Sequence, residues 1–186
     1  MAHAALADAV NRTDRWSADQ ALEELYAAHW RQLVRLGVLL VRDVGTAEEV
    51  VQDAFVAMHG RWGRLRDNDK ALAYLRQAVV NRSRSVLRHQ VVVARHLRST
   101  ASRELETAPD ADTGALDAAR RGAVLTALGQ LPDRQREVLV LRHYLDLSEA
   151  EIADALGIAR GSVKSHASRG SAALRELLAD LWKDES

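Results

Sequence analysis

Leu147-Ser148-Glu149-Ala150-Glu151-Ile152-Ala153-Asp154-Ala155-Leu156-Gly157-Ile158-Ala159-Arg160-Gly161-Ser162-Val163-Lys164-Ser165-His166 reads as two short helices joined by a tight turn. Ser148 and Glu151, three apart, form a capping box that marks where the first helix starts. Ile152 and Leu156 supply its apolar face, and Ala153 is small where a crossing helix must come close. Gly157 falls where the turn needs a positive φ. Ile158, Val163 and Ala167 fold the second helix back on the first. That leaves Arg160, Ser162, Lys164, Ser165, Ser168 and Arg169 on the open side, groups suited to phosphates and to base edges in a major groove. A plain helical hairpin with a solvated charged face fits the same pattern. The joint register of small residue, turn glycine and apolar anchors favours DNA binding. Ala159 is the weak point, because it has no oxygen with which to cap the second helix.

Outward from this motif the chain stays helical, with few helix breakers (two Pro, ten Gly) and no strand-length alternation of β-branched residues. Upstream, 116–131 reads as one helix, and Pro132 takes the first position of the next, which carries Val138, Leu139 and Leu141 to Tyr144. The motif's own helices run over 148–156 and 160–182. In the first half, a helix from Ser17 or Asp19 to Val41 carries Leu22, Leu25, Tyr26, His29, Leu33, Leu36 and Leu40 on one stripe. Thr46 and Glu49 form a second capping-box signature, opening a helix with Val50, Val51, Ala54, Phe55, Met58 and Trp62 on one face. Gly60 to Asp69 is a polar loop, and a third helix follows from Lys70 to His89. Ser99 to Ala115, with Pro109 and Gly114, has no period. The expectation is an all-α protein: two small helical bundles, over 20–95 and 118–183, joined by a flexible acidic linker over 96–117. The helix-turn-helix lies in the second bundle.

The charges balance, 26 Lys and Arg against 26 Asp and Glu in 186 residues, but they are segregated. From Ala71 to Arg103 there are seven arginines (76, 82, 84, 88, 95, 98, 103) and no acid. From Glu104 to Ala119 there are five acids and no Lys or Arg. A helical projection puts Arg76, Gln77, Asn81, Arg84 and Arg88 on one face, opposite Leu75, Val79 and Val86. Such a face releases counterions on meeting nucleic acid, which gives salt-sensitive affinity; a merely solvated basic face is the other reading. Arg82 projects to the core edge, where only its aliphatic stem packs well. Trp62 and Tyr74 flank the polar loop, either as core residues or as platforms for unpaired bases.

Several classes drop out. Zero cysteines exclude disulfide scaffolds, thiol nucleophiles and thiolate metal sites. The seven histidines show no HExxH-type spacing, so no metal and no cofactor are expected. No phosphate-cradling loop or nucleophile elbow is present, which argues against an enzyme. The start, Met1-Ala2-His3-Ala4-Ala5-Leu6-Ala7-Asp8, is not a signal peptide, and the longest apolar stretch, 33–41, is too short to span a bilayer. A cytoplasmic protein is expected.

Taken together, these residues resemble the extracytoplasmic-function RNA polymerase sigma factors, most closely the sigma-E-like subgroup. Leu25-Tyr26 to Leu40 resembles the opening helix of that family's domain 2. Thr46 to Phe55 resembles its polymerase-binding helix, and Ala73 to Arg88 its promoter-melting helix. Leu131-Pro132-Asp133-Arg134-Gln135-Arg136-Glu137-Val138, ahead of the helix-turn-helix, resembles domain 4. The resemblance implies that 20–95 is domain 2 and 118–183 domain 4. It further implies that Glu49, Val50, Gln52 and Asp53 hold core RNA polymerase. The third helix would engage the unpaired minus-ten strand, the second bundle would read the minus-thirty-five duplex, and an anti-sigma factor is a possible further partner. Val163-Lys164-Ser165-His166 also resembles the LuxR-type regulators, so the alternative is a stand-alone DNA-binding regulator. The Gln52-Asp53 and Asn81 helices decide against it. Departures from the family pattern are Ala159, in place of the usual capping residue, and Arg82, in place of an apolar one.

Overall fold

A computed structural model describes residues 2–64, 70–97 and 115–183, with side chains over 19–63, 70–93 and 118–179. Among these residues the chain forms seven α-helices and no strand: α1 (Ala2–Val41), α2 (Val44–His59), α3 (Ala71–Leu97), α4 (Ala115–Gln130), α5 (Asp133–His143), α6 (Glu149–Leu156) and α7 (Arg160–Lys183). A 3-10 turn, Trp62–Arg64, follows α2.

The first bundle is α1, α2 and α3. Leu33, Leu36 and Leu40 of α1, Val51 and Met58 of α2, and Leu75 and Val79 of α3 are sealed from solvent. Each such side chain contributes about 1.5–3 kcal/mol by leaving water. Gly37 sets how closely α1 and α2 pack, since a Cβ there would lie 2.9 Å from that of Ala47. Helix α1 begins well before Ser17. Helix α2 begins two residues earlier than Thr46, because Asp43 is its N-cap: Asp43 Oδ1 accepts from the Thr46 N–H at 2.7 Å. The expected Thr46–Glu49 capping box therefore does not form; an upstream carboxylate has taken the same amide. Helix α3 runs past His89 to Leu97, since no glycine or proline interrupts 90–97.

The second bundle is α4 to α7. Pro132 is the N-cap of α5 rather than its first helical residue, with ψ 141°, and its carbonyl accepts from the Arg136 N–H at 3.1 Å. The buried Arg136 guanidinium ties this junction together, donating to Asp133 Oδ1 at 2.6 Å and to the Leu131 carbonyl at 3.3 Å. Residues 96–97 and 115–117, placed in the linker on sequence grounds, are helical. The flexibility expected of 98–114 lies outside the described residues. The two bundles touch: α1 packs on α4 and α5, and α3 packs on α6. None of the described helices is long and apolar enough to cross a membrane.

Candidate nucleic-acid interface

The helix-turn-helix forms as its residues dictate. Ser148 Oγ accepts from the Glu151 N–H at 3.3 Å, and Glu151 Oε2 accepts in return from the Ser148 N–H at 2.8 Å. The Ser148 hydroxyl, donating to the same oxygen at 2.6 Å, and the Ser148 N–H together hold the Glu151 carboxyl below the usual glutamate range. Gly157 adopts the left-handed conformation, φ 62°, and the Ile158 N–H closes the turn on the Ala153 carbonyl at 3.1 Å. Ile152, Ala153, Leu156, Val163 and Ala167 are all buried. Ala159 precedes α7 and offers only its carbonyl, to the Ser162 and Val163 amides.

The outer face of α7 is open, with Arg160, Lys164, Ser165, Ser168 and Arg169 exposed and Ser162 half-buried. Ser165 Oγ bonds back to the Gly161 carbonyl and Arg169 Nε to the Ser165 carbonyl, so both are held along the helix. A groove of about 310 Å³ runs between α5 and α7, lined by Arg142, His143, Lys164, Ala167, Ser168 and Ser171. Arg142, His143 and Ser171 were not singled out from the sequence. They lie outside the twenty-residue motif, and only the packing of α5 on α7 brings Arg142 and His143 to its cationic side. Glu149 sits between the cations, 3.4 Å from Arg142 Nη2 and 3.8 Å from Lys164 Nζ.

On α3 the five candidates separate. Asn81 and Arg88 are exposed, whereas Arg76, Gln77 and Arg84 are half-buried against the second bundle. Arg84 Nε and Nη2 each lie 2.8 Å from an oxygen of Glu137, a fork-on-carboxylate pair that raises the Arg84 pKa. Burial lowers the Arg76 pKa, and nearby Glu151 partly opposes this. Tyr74 packs half-buried against the core and its hydroxyl accepts from Arg61 at 3.2 Å; Trp62 is half-buried against the same core.

On α2, Glu49, Gln52 and Asp53 are exposed, but Val50 is buried in the core, so its contribution to any surface is structural. The exposed apolar residue on their face is Val56, 67% accessible, one turn beyond Gln52 and Asp53. Tyr26 adds a second, stacked on Trp30 with centroids 4.6 Å apart and edge-on to Phe55. Arg82, placed at the core edge by the helical projection, has a charged partner there: its Nη1 reaches Asp53 Oδ2 at 2.7 Å.

Comparison with known proteins places both bundles. Sigma-70 region 2 matches residues 25–91, and Sigma-70, region 4 matches residues 121–174. The chain is 35% identical over 156 residues to the RNA polymerase sigma-E factor of Streptomyces coelicolor, spanning 84% of this chain and 85% of that one. It is 33% identical over 168 residues to the RNA polymerase sigma factor CarQ of Myxococcus xanthus, spanning 90% and 94%. In fold it is similar to the sigma factor RpoE of Bartonella quintana, solved in complex with the anti-sigma factor NepR. The TM-score is 0.68 at 22% identity, over 84% of this chain and 96% of that one. These matches run through both bundles, which a stand-alone LuxR-type regulator does not account for. The chain belongs to the extracytoplasmic-function RNA polymerase sigma factors, alternative sigma factors that bind core RNA polymerase and direct promoter-specific initiation of transcription.

Proposed function

We propose that the work of this sigma factor is divided among three faces. Residues 20–95 dock on core polymerase through Glu49, Gln52 and Asp53 of α2, with Val56 and Tyr26 as the apolar part of the patch. Arg76, Gln77, Asn81, Arg84 and Arg88 of α3 hold the unpaired minus-ten strand. Residues 118–183 read the minus-thirty-five duplex through Arg160, Ser162, Lys164, Ser165, Ser168 and Arg169, with Arg142 and Ser171 extending the contact to flanking phosphates. Residues 96–117 are the tether. The protein works in the cytoplasm as a non-catalytic subunit, without cofactor, and an anti-sigma factor of the kind seen with its structural neighbours is a further partner.

One observation carries this reading. A cationic, amide-bearing face on α3 and a cationic face on α7 occur in one chain with an exposed acidic and apolar face on α2. A chain of zero net charge binds DNA weakly alone. Polymerase supplies affinity by holding both DNA-binding halves at the separation of the two promoter elements. Run-off transcription with core enzyme tests it: the reading requires a defined start that depends on this chain. A chain that shifts a palindromic duplex unaided, and directs no transcription with core, would be a stand-alone regulator instead.

A further inference from the structure

The groove between α5 and α7 presents Arg142, His143 and Lys164 together with Ser168 and Ser171, a lining suited to phosphate. An acid nonetheless reaches into this set from α6. Glu149, the first residue of that helix, places Oε1 3.4 Å from Arg142 Nη2 and Oε2 3.8 Å from Lys164 Nζ. One carboxylate therefore ties the last turn of α5 to the outer face of α7 and cancels one of the two charges. Folding does not demand an acid here. The capping box of α6 is made by Ser148 and Glu151, and ion pairs with a partner as exposed as Lys164 contribute little to stability. Beside cations that face phosphate, a carboxylate also lowers affinity for every duplex. Its value must then lie in the difference between one duplex and another.

We propose that Glu149 is a positioning residue for promoter discrimination. It holds Arg142 and Lys164 where the phosphates lie when α7 is in register on the minus-thirty-five duplex, and withholds them from backbones in any other register. The inference rests on the minus-thirty-five reading proposed for α7. A guanidinium carries several N–H donors and an ammonium three, and Glu149 engages one side of each. The remaining donors meet phosphates at fixed places without leaving the carboxylate. They cannot swing on their long stems to follow a backbone that arrives elsewhere. Non-specific binding consists of such following, since phosphate contacts and counterion release carry it and no base fixes the register. Discrimination is a difference of affinities, and Glu149 widens it by lowering the wrong ones.

Glu149→Gln keeps the size of the side chain and removes its charge, while Glu149→Asp keeps the charge. A short fluorescein-labelled duplex of mixed sequence should bind the full-length Glu149→Gln chain about threefold tighter than the parent at low salt. The slope of log affinity against log salt should steepen by about one, as one more phosphate contact requires. Run-off transcription by the holoenzyme, at limiting chain concentration, is then compared on two templates: a promoter, and the same promoter with its minus-thirty-five element scrambled. The ratio of the two should fall about threefold in Glu149→Gln, through a rise on the scrambled template alone, and should stay at the parent's value in Glu149→Asp. An unchanged ratio in Glu149→Gln, or an equal change on both templates, overturns the proposal, because the carboxylate then acts on every duplex alike. Equal losses in the Gln and Asp variants overturn it as well, since charge is then not the cause. A parent that transcribes both templates alike overturns the reading of α7 itself, a failure told apart from the others because it needs no variant.

Discussion

Arg82 Nη1 lies 2.7 Å from Asp53 Oδ2, an ion pair that joins the middle of α3 to the outward face of α2. Both partners are more than a third exposed, and such surface pairs contribute about 0–1 kcal/mol. Asp53→Arg is therefore expected to cost less than about 1 kcal/mol of stability while sharply reducing recovery of core enzyme in a pull-down. Arg82→Ala breaks the same pair and keeps the carboxylate, so it should pull down core normally. Equal losses from the two would assign the effect to helix packing and remove Asp53 from the docking surface.

Glu149 restrains the cations of the α5–α7 groove through Arg142 and Lys164. Glu149→Gln frees both for phosphate, and tighter duplex binding with a steeper salt dependence is expected, by about threefold at low salt. Lys164→Ala and Arg169→Ala should lower promoter-dependent transcription. A panel of single-base promoter variants separates the causes: a phosphate contact weakens all sequences alike, whereas a base contact removes about 1–3 kcal/mol of discrimination at one position. No loss from either substitution would mean that another face of α7 meets the groove.

Acid should loosen the start of α6 before the rest of the second bundle. The Glu151 carboxyl, held down by its two bonds from Ser148, titrates lower in the folded chain than in the unfolded one. A depressed carboxyl contributes stability that is present above its unfolded value, about 4.3, and lost as pH falls through the folded value. Ser148→Ala removes the hydroxyl's bond and keeps the one from the main-chain N–H. Its urea midpoint should lie below that of the parent at neutral pH, and the two should converge in acid. Parallel curves down to the lowest pH would show that the capping box is not what titrates.

At Gly37 any side chain must displace Ala47, 2.9 Å from the first added carbon. Gly37→Val is expected to destabilise the first bundle by about 1–3 kcal/mol, read from the urea midpoint. An unchanged midpoint would show that α1 and α2 can separate at little cost.

Asn81 and Arg88 are the exposed members of the α3 face, so replacing both with Ala should leave folding within about 0.5 kcal/mol of the parent. The double variant should bind core normally and fail at strand opening, and a template carrying a pre-opened minus-ten bubble should restore much of its activity. Arg84→Ala differs, because it leaves the buried Glu137 with Arg134 alone at 3.2 Å; about 1–3 kcal/mol of destabilisation is expected there. A bubble template that gives no rescue would place the defect of the double variant elsewhere.

The helix-turn-helix was legible because its signals are local: Ser148, Glu151 and Gly157 each act on backbone within four residues. The start of α2 was misread for an equally local reason, in that Asp43 Oδ1 takes the Thr46 N–H that the Glu49 side chain would have accepted in a capping box. What the sequence could not convey was pairing across distance. The partner of Arg82 is 29 residues away and that of Arg84 is 53. Neither follows from helical projection, which shows the direction a side chain leaves its helix and not what it meets. Val50 was misassigned for a related reason: it sits one residue beyond Glu49, and one step on a helix is enough to turn a contact into core.

Gly170 packs α7 against α5 so tightly that a Cβ would stand 3.1 Å from Gln135 Cβ and 3.2 Å from Leu139 Cδ1. It is the fulcrum of α7. Arg160 lies ten residues toward the N-terminal end of α7, about 15 Å away at 1.5 Å per residue. A tilt of about 10° at the fulcrum swings that end by ~3 Å, close to the ~3.4 Å between successive base pairs. On the proposed reading of the duplex by α7, one hydrogen atom in place of a methyl group would thus set which step its tip addresses.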